Sequence, residues 1–171
     1  MAIFGLKYYA DLRSKYKGVL WRVEISERRY AGPSEEMAFD GGMPLQITWE
    51  KRGDEFYVPV KASEATINIL CKENFHYLAL FTSDPRYFRV SIFRNRQLYW
   101  RGYVTSDLYS ENFTAPPYTV TIKAVDGFNL LSSIPFRDLV HIDITGRRSL
   151  WELLSSCIDL LELDLDTADW M

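Results

Sequence analysis

Two histidines are the side chains best suited to acid–base chemistry in this sequence, and neither has the neighbours that a reaction requires. His76 lies among apolar residues in NFHYLALF, which predicts a packed or surface side chain. His141 lies two residues before Asp143 in VHIDI, so both would face one side of a strand and the carboxylate could orient the imidazole. Without a nucleophile or a third ligand, this pair is weak evidence for a catalytic site.

Adjacent acids occur in two turn-like stretches, at Glu35-Glu36 and at Asp54-Glu55. A glycosidase needs two carboxylates that converge from distant positions across a cleft, so we interpret both pairs as solvated turn residues. The sequence has no HExxH, no GxSxG, no glycine-rich phosphate loop and no acidic calcium loop. It therefore predicts no enzyme activity, no cofactor and no metal site.

The two cysteines and the charge balance further narrow the classes of protein that the sequence fits. Cys71 and Cys157 lack the paired spacing of a metal or redox motif, so we expect buried free thiols. A formal net charge of -3 argues against a nucleic-acid partner. Residues 1–30 hold seven Lys/Arg against three Asp/Glu, whereas residues 149–171 hold six acids and no base. The two ends could attract each other or face opposite neighbours, or simply be solvated surface.

Three aromatic residues crowd one strand-like stretch: Tyr99, Trp100 and Tyr103. Exposed aromatic rings could stack on a sugar or anchor a protein partner. Alternation along a strand would instead bury at least half of such positions. Both interpretations remain open at this stage.

The elements that must position these side chains are mostly strands. With 171 residues, the chain can bury one full core, or one core with a small annex. LKYYADL and VLWRVEI predict one hairpin, RYFRVSIF and QLYWRGYV a second, and LQITWEKRGDEFYVPV a hairpin or arch after the glycine-rich loop AGPSEEMAFDGGMP. ATINILC predicts another strand. Apolar runs are too short for a membrane span, and the first residues lack the pattern of a signal peptide.

The stretch TAPPYTVTIKAVDG predicts a strand with defined ends. Pro116 and Pro117 have no amide proton, so they prevent pairing upstream of a strand that begins at Tyr118. Asp126-Gly127 then predicts a turn or helix cap, with Gly127 in a conformation that is costly for other residues.

Helical spacing and capping signals predict helices near residues 74–81, 127–133 and 150–161, the last with a Ser149/Glu152 capping box. We predict an α+β, predominantly β protein: a mixed barrel or sandwich of about eight strands over residues 1–135, and a helical annex over residues 136–171 that begins a second, truncated unit. We expect residues 149–171 to self-associate or to lose order, because the apolar stripe of the helix needs a cover and the alternating tail has no sheet to join. Strand periodicity predicts a core that includes Trp21, Val23, Ile92, Tyr118, Val120 and Ile122.

The succession ITWEKRGDEFYVPVKASEATINILC, FTSDPRYFRVSIFRNRQLYWRGYVTSDLY and TAPPYTVTIKAVDGFNLL resembles the amino-terminal region of large phage tail proteins encoded by prophages of gut bacteria. The resemblance covers about residues 18–135. Its pattern consists of a tryptophan in a strand, a Ser-x-Ala strand, an aromatic Tyr-Trp-x-Gly strand, and Pro-Pro-Tyr followed by Ala-x-Asp-Gly. Within it, Tyr109, Pro116, Pro117, Tyr118, Asp126 and Gly127 would be fold-defining residues without a reactive group.

The resemblance implies a non-enzymatic structural protein of the tail tip or baseplate hub. It would contact other tail proteins, form homo-oligomers, and reside in the virion tail after synthesis in the bacterial cytoplasm. The family's proteins are much longer than 171 residues, so we expect a fragment or a trimmed version. A carbohydrate-binding β module that uses the three aromatic residues is the first alternative, and a domain of a cell-wall hydrolase is the second.

Overall fold

The computed structural model of the chain describes residues 3–49, 62–105, 114–127, 147 and 149–161. The elements in these ranges are β1 (Phe4–Arg13), β2 (Leu20–Arg28), β3 (Glu35–Glu36), β4 (Ala38–Phe39), β5 (Leu45–Trp49), β6 (Ser63–Cys71), a 3₁₀ helix (Leu78–Leu80), β7 (Phe88–Arg94), β8 (Gln97–Val104), β9 (Tyr118–Val125) and α1 (Leu150–Leu160). The prediction of a predominantly β α+β fold is confirmed.

All of these strands belong to one sheet. Its path runs β3-β1-β2-β7-β8-β9-β6-β4, and β5 also pairs with β6. The ladder between β8 and β9 has only two residue pairs, Tyr103 with Val125 and Val104 with Ala124. Because these strands are antiparallel, most of β9 and its partner β6 continue beyond the end of β8.

The segment Glu35–Phe39 brings the two edges of the sheet together. On one side β3 pairs with Tyr8 and Tyr9 of β1, and on the other side β4 pairs with β6. Between them, the buried Met37 donates its amide proton to the carbonyl oxygen of Tyr9 at 2.7 Å. The sheet is therefore nearly closed into a barrel. The sequence-based expectation of a long loop is wrong for this segment, because two-residue strands are too short to show alternation.

The core lies inside this curled sheet and is built by alternating side chains. In β6 every second residue from Ser63 to Cys71 is buried, and in β9 every second residue from Tyr118 to Ala124 is buried. The predicted core is confirmed at Val23, Ile92, Tyr118, Val120 and Ile122, which are buried, while Trp21 is partly buried against the same cluster.

The helix predictions have mixed outcomes. α1 is confirmed, and so is its capping box: Glu152 donates its amide proton to Ser149 Oγ at 3.2 Å, and Ser149 donates its own to Glu152 Oε2 at 2.8 Å. The helix near residues 74–81 is wrong except for the 3₁₀ turn. Phe75 has a φ of 60°, outside the right-handed helical region, which prevents a regular helix from starting at residue 74.

Gly127 lies in a helical backbone directly after β9 and is buried. Gly18 is the glycine with positive φ in the described part of the chain, so the expectation of a costly conformation at Gly127 is wrong. The rest of the helix predicted near residues 127–133 lies outside the described residues. So do the strand expected after Trp49, the boundary at residues 135/136 and the tail after residue 161.

Candidate functional site

Three residues from three separate sequence motifs meet at one buried joint. Ser63 is the first residue of β6, Trp100 lies in β8, and Asp126 directly follows β9. Asp126 Oδ2 accepts hydrogen bonds from the Ser63 amide at 2.5 Å and from Ser63 Oγ at 2.8 Å. Trp100 Nε1 donates to the same Oγ at 2.9 Å. All three residues are buried, so this network joins three strands away from solvent.

A glycine permits the close approach of the strands beside this joint. A Cβ at Gly102 would lie 2.2 Å from the carbonyl oxygen of Val125 and 2.4 Å from the Trp100 ring. Real Cβ atoms essentially never approach non-bonded heavy atoms closer than 3.0 Å, so β8 and β9 could not cross as they do with any larger residue here. The Trp-x-Gly motif is thus explained by packing at the two-pair ladder.

The predicted fold-defining residues at the other end of β9 have similar roles. Pro116 and Pro117 immediately precede the first residue of β9, as predicted. The buried Tyr118 accepts a hydrogen bond from the Phe75 amide at its hydroxyl, 3.4 Å away. Tyr109 lies outside the described residues.

Of the two interpretations that the sequence left open for Tyr99, Trp100 and Tyr103, burial applies to two of the three, so they do not form one exposed surface. Trp100 faces the core, and Tyr103 is fully buried, with its hydroxyl donating to the Leu161 carbonyl oxygen. Only Tyr99 is exposed, at 45%, and its ring packs edge-on against Trp21 at 5.2 Å. The β7–β8 register shifts at Tyr99, so simple alternation does not predict where this side chain lies.

His76 connects the segment Glu35–Phe39, called the closing segment because it closes the barrel, to the region of the 3₁₀ helix. Its Nε2 lies 2.8 Å from Glu35 Oε1, its Nδ1 lies 3.9 Å from Glu73 Oε2, and its ring meets the edge of Tyr77 at 4.7 Å. Glu35 is exposed, as expected, but it lies in a strand and contacts a histidine, so its interpretation as a turn residue is wrong. The predicted pairs His141/Asp143 and Asp54/Glu55 lie outside the described residues.

A lysine cluster that the sequence analysis missed lies where β1 meets the end of β2. Lys7 Nζ is 2.7 Å from Glu27 Oε2, and Tyr87 donates its hydroxyl proton to Glu27 Oε1 at 3.0 Å. Burial is the largest single influence and lowers the pKa of Lys7, but the hydrogen bond to Glu27 and the charge interactions with Tyr8, Glu27 and Tyr30 together exceed it, so the pKa is raised. The ammonium group also lies 5.4 Å from the ring centre of Phe88. A lysine held protonated in this way is a poor nucleophile.

The pattern of residues along β1 does not predict this cluster. A register shift between Leu6 and Tyr8 disturbs the alternation of β1, and Lys7 lies at that irregularity. An open groove of about 500 Å³ adjoins the cluster and is lined by Glu27, Arg28, Arg29, Tyr30, Ala31, Asp84 and Tyr87.

The remaining candidates for chemistry are few. Cys71 is a buried free thiol, as predicted, whereas Cys157 is only partly buried. Within the described ranges, no three His, Cys, Asp or Glu side chains come together as a metal site. None of the helices in these ranges is long and apolar enough to cross a membrane.

Comparisons of this chain with protein-family models, with curated proteins and with solved structures found no match. The fold and the buried joint define its class, which is a β-rich α+β protein with a nearly closed, barrel-like sheet.

Proposed function

We propose that the chain is a structural subunit of a phage tail tip or baseplate hub, or of a related injection apparatus, and that it acts through protein contacts without catalysis. The observation that supports this most is the joint of Ser63, Trp100 and Asp126. These residues come from the three stretches that resemble phage tail proteins. A chance likeness in three short stretches would not require their characteristic residues to touch, whereas motifs that maintain a sheet would.

The use of the polar side chains supports a role without turnover. Asp126 ties β9 to β6, Glu27 ties β2 to Lys7 and Tyr87, and His76 contacts the closing segment. Each of these side chains forms a hydrogen bond or an ion pair with a neighbouring element. None of them forms the arrangement of nucleophile, base and orienting group that catalysis needs.

The carbohydrate-binding alternative is weakened by the burial of Trp100 and Tyr103. A binding platform would have to use Tyr99 with its neighbour Trp21. A glycan array with the wild type and with Tyr99→Ala tests this alternative. Specific glycan binding that Tyr99→Ala abolishes would favour it over the structural role.

The proposed function is tested in a bacterium that carries the gene. We expect an epitope-tagged chain to copurify with induced tail particles and to be labelled at the tail tip in immunoelectron microscopy. Deletion of the gene should yield tails without a complete tip, and a plasmid copy of the wild type should restore them. Normal, infectious tails after deletion, with no label on the tagged particles, would overturn the proposal.

A further inference from the structure

Two large apolar side chains are exposed side by side at the start of α1. Leu150 is 73% exposed and Trp151 is 70% exposed. Adjacent exposed residues of this size are unusual on a surface without a partner, and tryptophan is among the residues most enriched at interface hot spots. From residue 149 to 161 the only charged residues are the acids Glu152 and Asp159, so this face of the helix carries negative charge.

The groove beside the lysine cluster has the complementary character. Glu27 is already neutralised by Lys7. Asp84 accepts from the Arg86 amide at 2.9 Å and lies 3.8 Å from Arg28 Nη1. The acids of the groove are thus engaged by groups of the same chain.

Arg29 carries on its guanidinium group the positive charge of the groove that no acid in the described ranges pairs with. Its side chain is exposed, and it has no partner within the described ranges. Its φ of 61° is costly for a residue with a side chain, so the turn displays this guanidinium group at the expense of backbone strain. Tyr30 and Tyr87 provide aromatic walls next to it.

We propose that Trp151, with the first turn of α1, docks into the groove at Arg28 and Arg29 of a second copy of the chain. The indole ring packs between Tyr30 and Tyr87, and the Arg29 guanidinium lies over its face. Tryptophan is the best aromatic partner for such a cation–π contact. The acids of α1 add a longer-range attraction to the Arg29 guanidinium.

This contact joins two different surfaces, so it is head-to-tail unless two copies exchange it reciprocally about a two-fold axis. A contact of this type builds a ring where the rotation closes and a filament where it does not. Since Trp151 is 70% exposed within a single chain, the groove of that chain does not cover it. The docking rests on the proposed function in one respect, because it names the surface through which a structural subunit would meet its own copies.

Sedimentation of the full chain over a wide concentration range tests the docking. We expect reversible association of the wild type that continues past a dimer. Trp151→Lys and Arg29→Asn should each raise the dissociation constant at least about tenfold, as expected for hot-spot residues. Asparagine tolerates positive φ, so Arg29→Asn removes the charge without adding strain.

Matched control variants are available in the same chain. Trp49 is also an exposed tryptophan, at 48%, and Arg96 is an exposed arginine with a φ of 69°. Trp49→Lys and Arg96→Asn should associate like the wild type. Circular dichroism melts of all four variants check that each one folds.

A wild type that stays monomeric at every concentration would overturn the docking, as would controls that weaken association as much as Trp151→Lys. A monomeric chain that still labels tail tips would reject the docking and leave the proposed function intact. An associating chain that is absent from tails would support the docking and reject the proposed function.

Discussion

Replacing Asp126 by alanine should be one of the most destabilising single changes in the chain. Asp126 is buried, and its Oδ2 is the acceptor for both the amide and the hydroxyl of Ser63. The change leaves two buried donors without their acceptor. It also releases the hydroxyl that Trp100 Nε1 donates to, so the whole joint between β6, β8 and β9 is affected.

The size of the effect follows from the number of lost partners. A buried polar group left without a partner costs about 1–3 kcal/mol, so two donors predict a loss of roughly 3–5 kcal/mol in the free energy of unfolding. Asp126→Asn keeps an acceptor oxygen but loses the charge, and we expect a loss of about 1–2 kcal/mol from it. For a domain of ordinary stability, the alanine variant loses a large part of the total.

Urea unfolding followed by tryptophan fluorescence and by circular dichroism measures these losses. Thr121→Val is the control, because it removes a hydrogen bond of 2.7 Å to Asn68 at an exposed site, and we expect a change within about 0.5 kcal/mol. In a double-mutant cycle, Ser63→Ala should cost much less in the Asp126→Ala background than in the wild type. If Asp126→Ala loses no more than the Thr121 control, the joint does not stabilise the fold as argued.

Three further outcomes are expected. Gly102→Ala should lower the free energy of unfolding by about 3 kcal/mol or more, because its methyl group would meet the Val125 carbonyl oxygen, whereas Gly41→Ala has open space and should be nearly neutral in thermal melts. Arg96→Gly should raise the melting temperature, with a gain of about 0.5–1 kcal/mol, because a glycine relieves the φ of 69° in the hairpin turn; an unchanged or lower melting temperature would contradict this. Burial raises the pKa of Tyr77 to about 12 from 10.0, so the folded state resists its ionisation and stability should fall as pH rises from 10 through 12. In urea titrations across this range Tyr77→Phe should lose less stability than the wild type, and equal losses would contradict the assignment.

Local patterns were sufficient to predict the regular elements. The β7–β8 hairpin, the alternation of β9 and the faces of β2 follow from a period of two, which is set by strand geometry alone. The Ser149/Glu152 capping box predicted the first residue of α1 because its hydrogen bonds span only one turn. The buried Asp126 is different, since the pattern placed it correctly at the end of a strand without revealing what it binds.

The errors have physical causes as well. The closing segment Glu35–Phe39 pairs for two residues on each side, which is too short for any periodic signal. The predicted helix near residues 74–81 relied on apolar spacing, which does not report the positive φ of Phe75. The choice between core and surface for Tyr99 could not be made from the sequence, because the register shift between β7 and β8 breaks the alternation that strand reasoning assumes.

Local sequence is enough to predict the β-rich class, most strand positions, the inward faces and the cap of α1, because each depends on residues a few positions apart. Which residues meet across the sheet depends on the packed strands. Trp100 reaches Ser63 across 37 positions of sequence, and Ser63 reaches Asp126 across 63. Those distances in space depend on how far the sheet curls and where its register shifts, and these are properties of the packed strands together. The same curl closes the barrel through Met37, and the groove at Arg29 is lined by residues from separate parts of the chain, so neither could be found from spacing along the chain.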